Sequence, residues 1–150
     1  MKRIKHHVMQ IAASPAVVFP LLCPVREADW IDGWSCEMLH SESGLAELGC
    51  VFKTNRAPEN EAFWIMTRCD SPREAEYVRF VTGKMFVVLR FQLAATEYGT
   101  AMEVTYSFTG VTEAGNAFVE TVVPQYIELA LNHLEASLNH FVKTGQKLLR

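Results

Sequence analysis

The strongest indication of the fold is in residues 116–143, NAFVETVVPQYIELALNHLEASLNHFVK. The apolar side chains of this stretch recur at steps of three and four residues, which is the period of one face of an α-helix. The recurring positions are Val119, Val123, Tyr126, Ile127, Ala130, Leu134, Leu138, Phe141 and Val142. Such a helix spans about 40 Å at about 1.5 Å per residue, enough to lie across a whole sheet. Pro124 predicts a kink or a weak turn within it.

Residues 35–110, which precede this helix, carry the signals of several β-strands. In the last strand, polar residues alternate with apolar Met102, Val104, Tyr106 and Phe108. This pattern is expected for a strand with one buried and one solvent-exposed face. Turn residues separate the strands, at 57–60, 70–72, 82–84 and 98–100. The segment therefore predicts an antiparallel sheet.

The N-terminal segment predicts one strand, RIKHHVMQI, followed by short helices. Ser14 is a good N-cap and Pro15 suits the first helical turn. Pro20 prevents a long helix, and Pro24 directs the chain into an irregular or second short helical segment. The order of elements predicts one α+β domain over residues 1–150, in which a curved antiparallel sheet wraps a long C-terminal helix. The gap between sheet and helix is expected to be an apolar cavity.

Composition limits the classes of function. The chain has 150 residues, of which 49% are hydrophobic, and a formal net charge of −3. Its basic residues are scattered, which argues against a footprint for nucleic acid or for an anionic membrane. The most apolar run, AVVFPLLCPV, is interrupted by two prolines and is too short to span a bilayer. These features predict a soluble cytoplasmic protein, either a monomer or a homodimer.

The residues that most often bind metals do not form a recognisable motif. No two of the four cysteines, Cys23, Cys36, Cys50 and Cys69, have C-x-x-C spacing, which favours small buried thiols in a reducing compartment. His6 and His7 are neighbours on a strand and point to opposite faces. His133 and His140 lie about 10 Å apart along the helix, whereas zinc–nitrogen bonds are about 2 Å long. We therefore expect neither a metal nor a cofactor.

Four stretches of the sequence resemble those of a known superfamily: ASPAVVFPLLCPVREADWIDGW, SESGLAELGCVFKT, FWIMTRCDSP and TAMEVTYSFTGVTEAGNAFVE. They are similar to the START-like, helix-grip superfamily (SRPBCC, Bet v 1-like), which includes lipid-transfer domains, polyketide cyclases and aromatases. The likeness covers nearly the whole chain and includes no catalytic signature. It implies a sheet gripping the C-terminal helix around a hydrophobic cavity, but it implies little about the ligand, because this fold hosts many functions.

Three side chains are weak candidates for catalysis. His133 lies near the apolar stripe and could act as a general acid or base, although a solvated boundary histidine is the simpler interpretation. Tyr106 has a hydroxyl that could orient a ligand. Arg68 could bind a carboxylate or phenolate if it points inward. Neighbouring apolar residues predict that Arg79 and Arg90 face outward, and a solvated position is favoured for all three arginines.

Aromatic and apolar residues supply the candidate ligand site, since small-molecule pockets are mostly apolar with a few polar groups. The candidates are Trp30, Trp34, Trp64, Met66, Phe80, Phe91, Met102, Tyr106, Phe108, Tyr126, Ala130 and His133. Trp30 and Trp34 belong to a charged, loop-like stretch and are expected to close one end of the cavity. Trp34, next to the following strand, is expected to be the more buried.

These observations leave three functions open. The first is binding or transport of a small hydrophobic ligand, such as a lipid or polyketide, in the cavity. The second is a polyketide cyclase or aromatase activity in the same cavity. The third is an interaction module of the kind that activates a chaperone ATPase, which requires an exposed apolar patch on the outer face of the sheet.

Overall fold

The computed structural model describes residues Met1 to Arg150, and its seven strands form one antiparallel sheet. The strand order is β1-β7-β6-β5-β4-β3-β2, so β1 lies beside β7 and all other neighbours are consecutive in sequence. The strands are β1 Lys2–Ile11, β2 Glu37–His40, β3 Val51–Arg56, β4 Asn60–Asp70, β5 Glu74–Val81, β6 Met85–Thr96 and β7 Gly99–Gly110. The predicted antiparallel sheet is confirmed.

Short helices follow β1, and longer helices end the chain. They are α1 Pro15–Val18, a 3₁₀ turn Phe19–Leu22, α2 Pro24–Glu27, α3 Glu113–Thr121 and α4 Val123–Thr144. The helix predicted over residues 116–143 is thus two helices that meet at Val122. Pro124 lies in the first turn of α4, where its missing N–H needs no partner. The predicted kink is therefore a break between two helices.

Helix α3 is held tightly against the sheet at its first turn. The Thr112 hydroxyl accepts a hydrogen bond from the Gly115 N–H at 2.9 Å and so caps the helix. A Cβ added at Gly115 would lie 1.6 Å from the backbone oxygen of Lys84, in the turn between β5 and β6. Only glycine allows the helix to approach this turn so closely.

The inner face of the sheet packs on α4 and forms the hydrophobic core. Met102, Val104, Tyr106 and Phe108 of β7 are all buried, as their alternation predicted. From α4, Leu131 and Leu138 are fully buried in the same cluster. The chain therefore has the predicted architecture, a sheet wrapped around its C-terminal helix.

The outer face of the sheet is partly apolar. Cross-strand pairs on β4, β5 and β6 place two rows side by side, Phe63–Phe80–Phe86 and Ile65–Val78–Val88. We call these six residues the outer patch. Phe63, Ile65 and Phe86 are exposed, and the rings of Phe80 and Phe86 lie 4.9 Å apart. Such a patch is the feature that the interaction-module hypothesis requires.

Two sequence-based expectations concern the environment of the chain. All four cysteines are free, and the expectation of buried thiols is wrong for Cys69, which is exposed near the end of β4. None of the helices combines the length and the apolarity that a bilayer crossing requires.

Candidate functional site

A cavity of about 530 Å³ lies between the inner face of the sheet and α4. Nineteen of its 29 lining residues are hydrophobic, so the cavity suits a largely apolar molecule. Nine of the twelve predicted ligand-binding residues line it: Trp30, Trp34, Trp64, Phe91, Met102, Tyr106, Tyr126, Ala130 and His133.

The other predicted site residues lie elsewhere. Phe80 belongs to the outer patch, because it lies an odd number of residues from the inward-facing Tyr77 and Val81 and therefore points to the opposite face of the strand. Phe108 is fully buried beneath Tyr106, its ring 5.6 Å away in a stacked arrangement. Met66 borders a second cavity of about 300 Å³ near α2.

Arg68 also lies outside the cavity. It is exposed and pairs with Glu74 at 3.3 Å. A register shift between Met66 and Arg68 interrupts the alternation that placed them on one face. The prediction that Arg68 is solvated agrees with the structure, and Arg68 is not a candidate for chemistry in the cavity.

The polar centre of the cavity wall is a buried ion pair. Arg79 of β5 donates through Nε to Glu59 Oε1 at 2.8 Å and through Nη2 to Glu59 Oε2 at 2.6 Å. The hydroxyl of Tyr126, on α4, donates to the same Oε2 at 2.7 Å. The loop before β4, the sheet and the long helix are therefore joined by one carboxylate.

Charge and hydrogen bonding hold this pair ionised. Burial by itself raises the pKa of Glu59, but the charge and hydrogen bonds of Arg79 and the Tyr126 hydroxyl lower it below its ordinary value. Burial lowers the pKa of Arg79, and Glu59 outweighs burial and raises it. Burial also raises the pKa of Tyr126 far above that of a free phenol. Two rings complete the site: the Arg79 guanidinium lies 4.7 Å from the Trp64 ring centroid and 5.8 Å from that of Tyr106.

The prediction that Arg79 faces outward is wrong, because Arg79 is 6% exposed. Val78 and Phe80 suggested an outward arginine, but these two residues form part of the outer patch. Arg79 shares the other face of β5 with three buried residues, Ala75, Tyr77 and Val81. Both faces of β5 are apolar, so alternation alone cannot choose between them.

Glu27, at the end of α2, was missed by the sequence analysis. It lines the cavity, and its carboxylate has no hydrogen bond or ion pair within the chain. Burial raises its pKa well above the ordinary value, and the nearby charge of Arg56 lowers it by a smaller amount. Nothing in the charged run around Glu27 distinguishes it from its exposed neighbours, so no sequence signal marks it.

Arg56, at the end of β3, is also a polar group of the cavity that the sequence did not predict. It is half-buried in the cavity lining, and its guanidinium lies 5.4 Å from the ring centroid of Trp34. Unlike Arg79, it has no hydrogen-bond acceptor and no ion-pair partner. Burial and the charge of Arg150 lower its pKa.

The Tyr106 hydroxyl also has no partner in the cavity wall. Tyr106 is 8% exposed, and burial raises its pKa to about 12. No enclosed side-chain oxygen or nitrogen lacks a hydrogen bond, so this hydroxyl must be open to the cavity space. It is placed to hydrogen-bond a bound molecule.

Of the two tryptophans in the charged stretch, Trp30 is the more buried, which is the opposite of the prediction. Trp30 is 3% exposed, and its indole N–H donates to the Leu21 carbonyl at 2.8 Å. Trp34 is half-buried, and its N–H donates to the Pro24 carbonyl at 2.8 Å. Trp30 is the more buried because the turn after α2 points it into the core, whereas Trp34 lies at the cavity rim beside Arg56.

His133 lines the cavity from α4, with a ring nitrogen 3.2 Å from the Ser137 hydroxyl. Burial lowers its pKa, and the charges of Arg150 and Arg56 lower it further. It is half-buried, which fits the simpler interpretation of a boundary histidine.

Solved structures share this architecture across nearly the whole chain. Norcoclaurine synthase from Thalictrum flavum, in complex with dopamine and hydroxybenzaldehyde, has a TM-score of 0.65 at 12% identity, covering 95% of this chain and 87% of that one. Ara h 8.0201 has a TM-score of 0.68 at 14% identity, covering 96% and 99%. CalU16 from Micromonospora echinospora has a TM-score of 0.58 at 21% identity, covering 91% and 75%.

These similarities show the fold. No protein-family model matches the sequence, and no curated protein matches it either. At identities of 12–21% the likeness extends to the backbone path only. The chain has the helix-grip fold of START-like, Bet v 1-like proteins, as its sequence predicted.

Proposed function

We propose that this chain, with its helix-grip fold, binds a small and largely apolar molecule in the cavity between sheet and α4. The observation that carries the proposal is the cavity itself, which has a volume of about 530 Å³ and a mostly hydrophobic lining. Ligand pockets for small molecules have this size and composition. Glu27, Arg56 and Tyr106 lack partners within the chain and would bind the polar part of such a molecule.

The comparison with norcoclaurine synthase supports the size of the proposed ligand. That protein, with the same fold, is in complex with dopamine and hydroxybenzaldehyde, each with a single aromatic ring. The aromatic walls of the present cavity, formed by Trp34, Trp64 and Tyr106, suit stacking against a flat molecule.

The experiment combines native mass spectrometry of gently purified protein with titration of the neutral fluorescent probe N-phenyl-1-naphthylamine. We expect a co-purifying small molecule, or probe binding that saturates at one equivalent. The variant Ala130→Trp places an indole in the cavity and should reduce probe affinity about tenfold or more. Ala136→Trp, on the exposed side of the same helix, is the matched control.

Absence of both a bound molecule and saturable probe binding in the unmodified protein would contradict the proposal. Equal probe affinity of the Ala130→Trp and Ala136→Trp variants would also contradict it, because the probe would then bind outside the cavity.

Glu27 supports a second candidate, an acid–base enzyme of the cyclase or aromatase type. A carboxyl group with a raised pKa inside an apolar cavity is suited to removing a proton next to a ketone. In this step the carbon–hydrogen bond breaks, the proton goes to the Glu27 carboxylate and an enolate forms. The Tyr106 hydroxyl, which is open to the cavity, would donate a hydrogen bond to the enolate oxygen.

A hydrogen-exchange assay tests this second candidate without a known substrate. We expect the protein to accelerate exchange of the α-protons of 2-tetralone in deuterated water, as measured by proton NMR. Glu27→Gln should abolish the acceleration, and Glu42→Gln, in an exposed loop, should not. Exchange at the rate of buffer alone, or an unchanged rate in Glu27→Gln, would exclude Glu27 as the base for this ketone class.

A further inference from the structure

We propose that Arg56 is an anion anchor, so that the cavity ligand is an apolar molecule bearing a carboxylate or a similar planar anionic group. This inference rests on the proposed function, because it specifies the ligand of the same cavity.

Two arginines of the cavity wall, Arg56 and Arg79, differ in whether they have a partner within the chain. Arg79 has a two-point contact with Glu59, at 2.8 and 2.6 Å, which satisfies its charge. Arg56 lines the same cavity and donates to no acceptor in the chain. Of the two guanidinium groups, only that of Arg56 remains available to a ligand.

The Arg56 guanidinium is partly removed from water and has no charged partner. Arg56 is half-buried and lies over one face of the Trp34 ring, at 5.4 Å. This contact with the ring uses none of the guanidinium N–H donors for a hydrogen bond. A partly desolvated cation gains most from a charge-assisted hydrogen bond, and a planar carboxylate matches its fork of donors.

The charges around Arg56 also favour an anionic ligand. Arg150 also lines the cavity, and its charge lowers the pKa of Arg56, so the two cations lie within electrostatic reach of each other. Glu59 and Glu27 are the negative groups near Arg56, and Glu59 is already paired with Arg79. Glu27 forms no ion pair with Arg56 or Arg150. Burial raises its pKa, so its negative charge is the one most readily lost in the cavity. The local field therefore favours an anion over a cation.

The test uses two molecules of the same shape, 2-naphthoate and 2-naphthalenemethanol, which displace N-phenyl-1-naphthylamine from the cavity. We expect Arg56→Gln to weaken naphthoate about tenfold or more, the effect of losing a hydrogen bond between charged groups. The affinity for naphthalenemethanol should change less than about twofold. Arg68→Gln, on the outer face, is the matched control and should change neither.

Arg56→Lys separates the effect of charge from that of geometry, since lysine keeps the charge but loses the planar fork. Its naphthoate affinity should lie between those of the unmodified protein and Arg56→Gln. Probe binding by each variant shows that its cavity is folded. If the probe binds and naphthoate affinity is the same in Arg56→Gln as in the unmodified protein, the anion anchor is wrong and the proposed function stands. If the probe does not bind the unmodified protein, the proposed function itself fails.

Discussion

Glu59 and Arg79, 20 residues apart in the chain, form a two-point ion pair whose side chains are 13% and 8% exposed. The pair closes one side of the cavity and fastens the loop between β3 and β4 to β5. Tyr126, 67 residues beyond Glu59, adds a third point from α4. This cluster connects three parts of the fold at the wall of the candidate site.

Removing one partner of this pair should strongly destabilise the protein. Glu59→Leu leaves the buried Arg79 charge without its counterion, and we expect it to lower the free energy of unfolding by about 3–5 kcal/mol. Urea unfolding followed by circular dichroism measures the change. The double variant Glu59→Leu/Arg79→Met should be more stable than Glu59→Leu alone, because no charge is then left unpaired.

The control for the ion pair is Asp70→Asn, which breaks the exposed pair with Arg73 and should cost less than about 1 kcal/mol. If Glu59→Leu lowered the free energy of unfolding by no more than Asp70→Asn does, water would have to solvate Arg79 in place of the carboxylate.

Glu27 should make stability fall as pH rises. Its pKa is raised in the folded protein, so its contribution is fully present below the pKa of an unfolded glutamate, about 4.3, and is lost as pH rises through the folded-state pKa. Glu27→Gln removes this dependence. Between pH 4 and pH 8, we expect the variant to become more stable relative to the unmodified protein as pH rises. The difference in the free energy of unfolding should grow by about 1.4 kcal/mol per pH unit until Glu27 ionises in the folded protein.

Urea unfolding at several pH values measures the effect of Glu27. The Glu42→Gln variant, with its substitution in an exposed loop, should follow the unmodified protein at every pH. A constant stability difference between Glu27→Gln and the unmodified protein across this range would show that Glu27 is solvated.

The two tryptophans near α2 should respond differently to a quencher. Trp34 is half-buried at the cavity rim, whereas Trp30 is 3% exposed. Acrylamide should therefore quench the Trp30→Phe variant, which retains Trp34, more than the Trp34→Phe variant. A cavity ligand should protect Trp34 from acrylamide. Stronger quenching of Trp30 would indicate that the turn after α2 opens in solution.

Gly115→Ala should destabilise the protein, although the intrinsic helix propensity of alanine is about 1 kcal/mol more favourable than that of glycine. The new Cβ would lie 1.6 Å from the Lys84 backbone oxygen, so α3 must move away from the sheet. We expect a loss of about 2 kcal/mol, or a melting temperature lower by about 4 °C or more.

Differential scanning calorimetry measures the melting temperature of Gly115→Ala. Ala117→Ser, at an exposed position of the same helix, is the control and should shift it by less than about 2 °C. A higher melting temperature for Gly115→Ala would mean that the turn between β5 and β6 moves at little cost.

The architecture could be predicted from the sequence, because it follows from local periodicity. The stripe of α4 and the alternation of β7 each define one buried face, and Pro124 defines where the terminal helix breaks. Each of these signals lies within a single element, so neighbouring residues are enough to interpret it.

The polar site, by contrast, depends on contacts between residues that are distant in the sequence. Both faces of β5 carry apolar residues, one facing the core and the other in the outer patch, so neighbouring residues give no signal for the side on which Arg79 lies. Glu59 comes from a turn, and Glu27 and Arg56 come from segments with exposed charged neighbours. Whether such a charge is buried, paired or free depends on which distant residues the fold brings beside it, and the cost of burial appears only once water has been excluded.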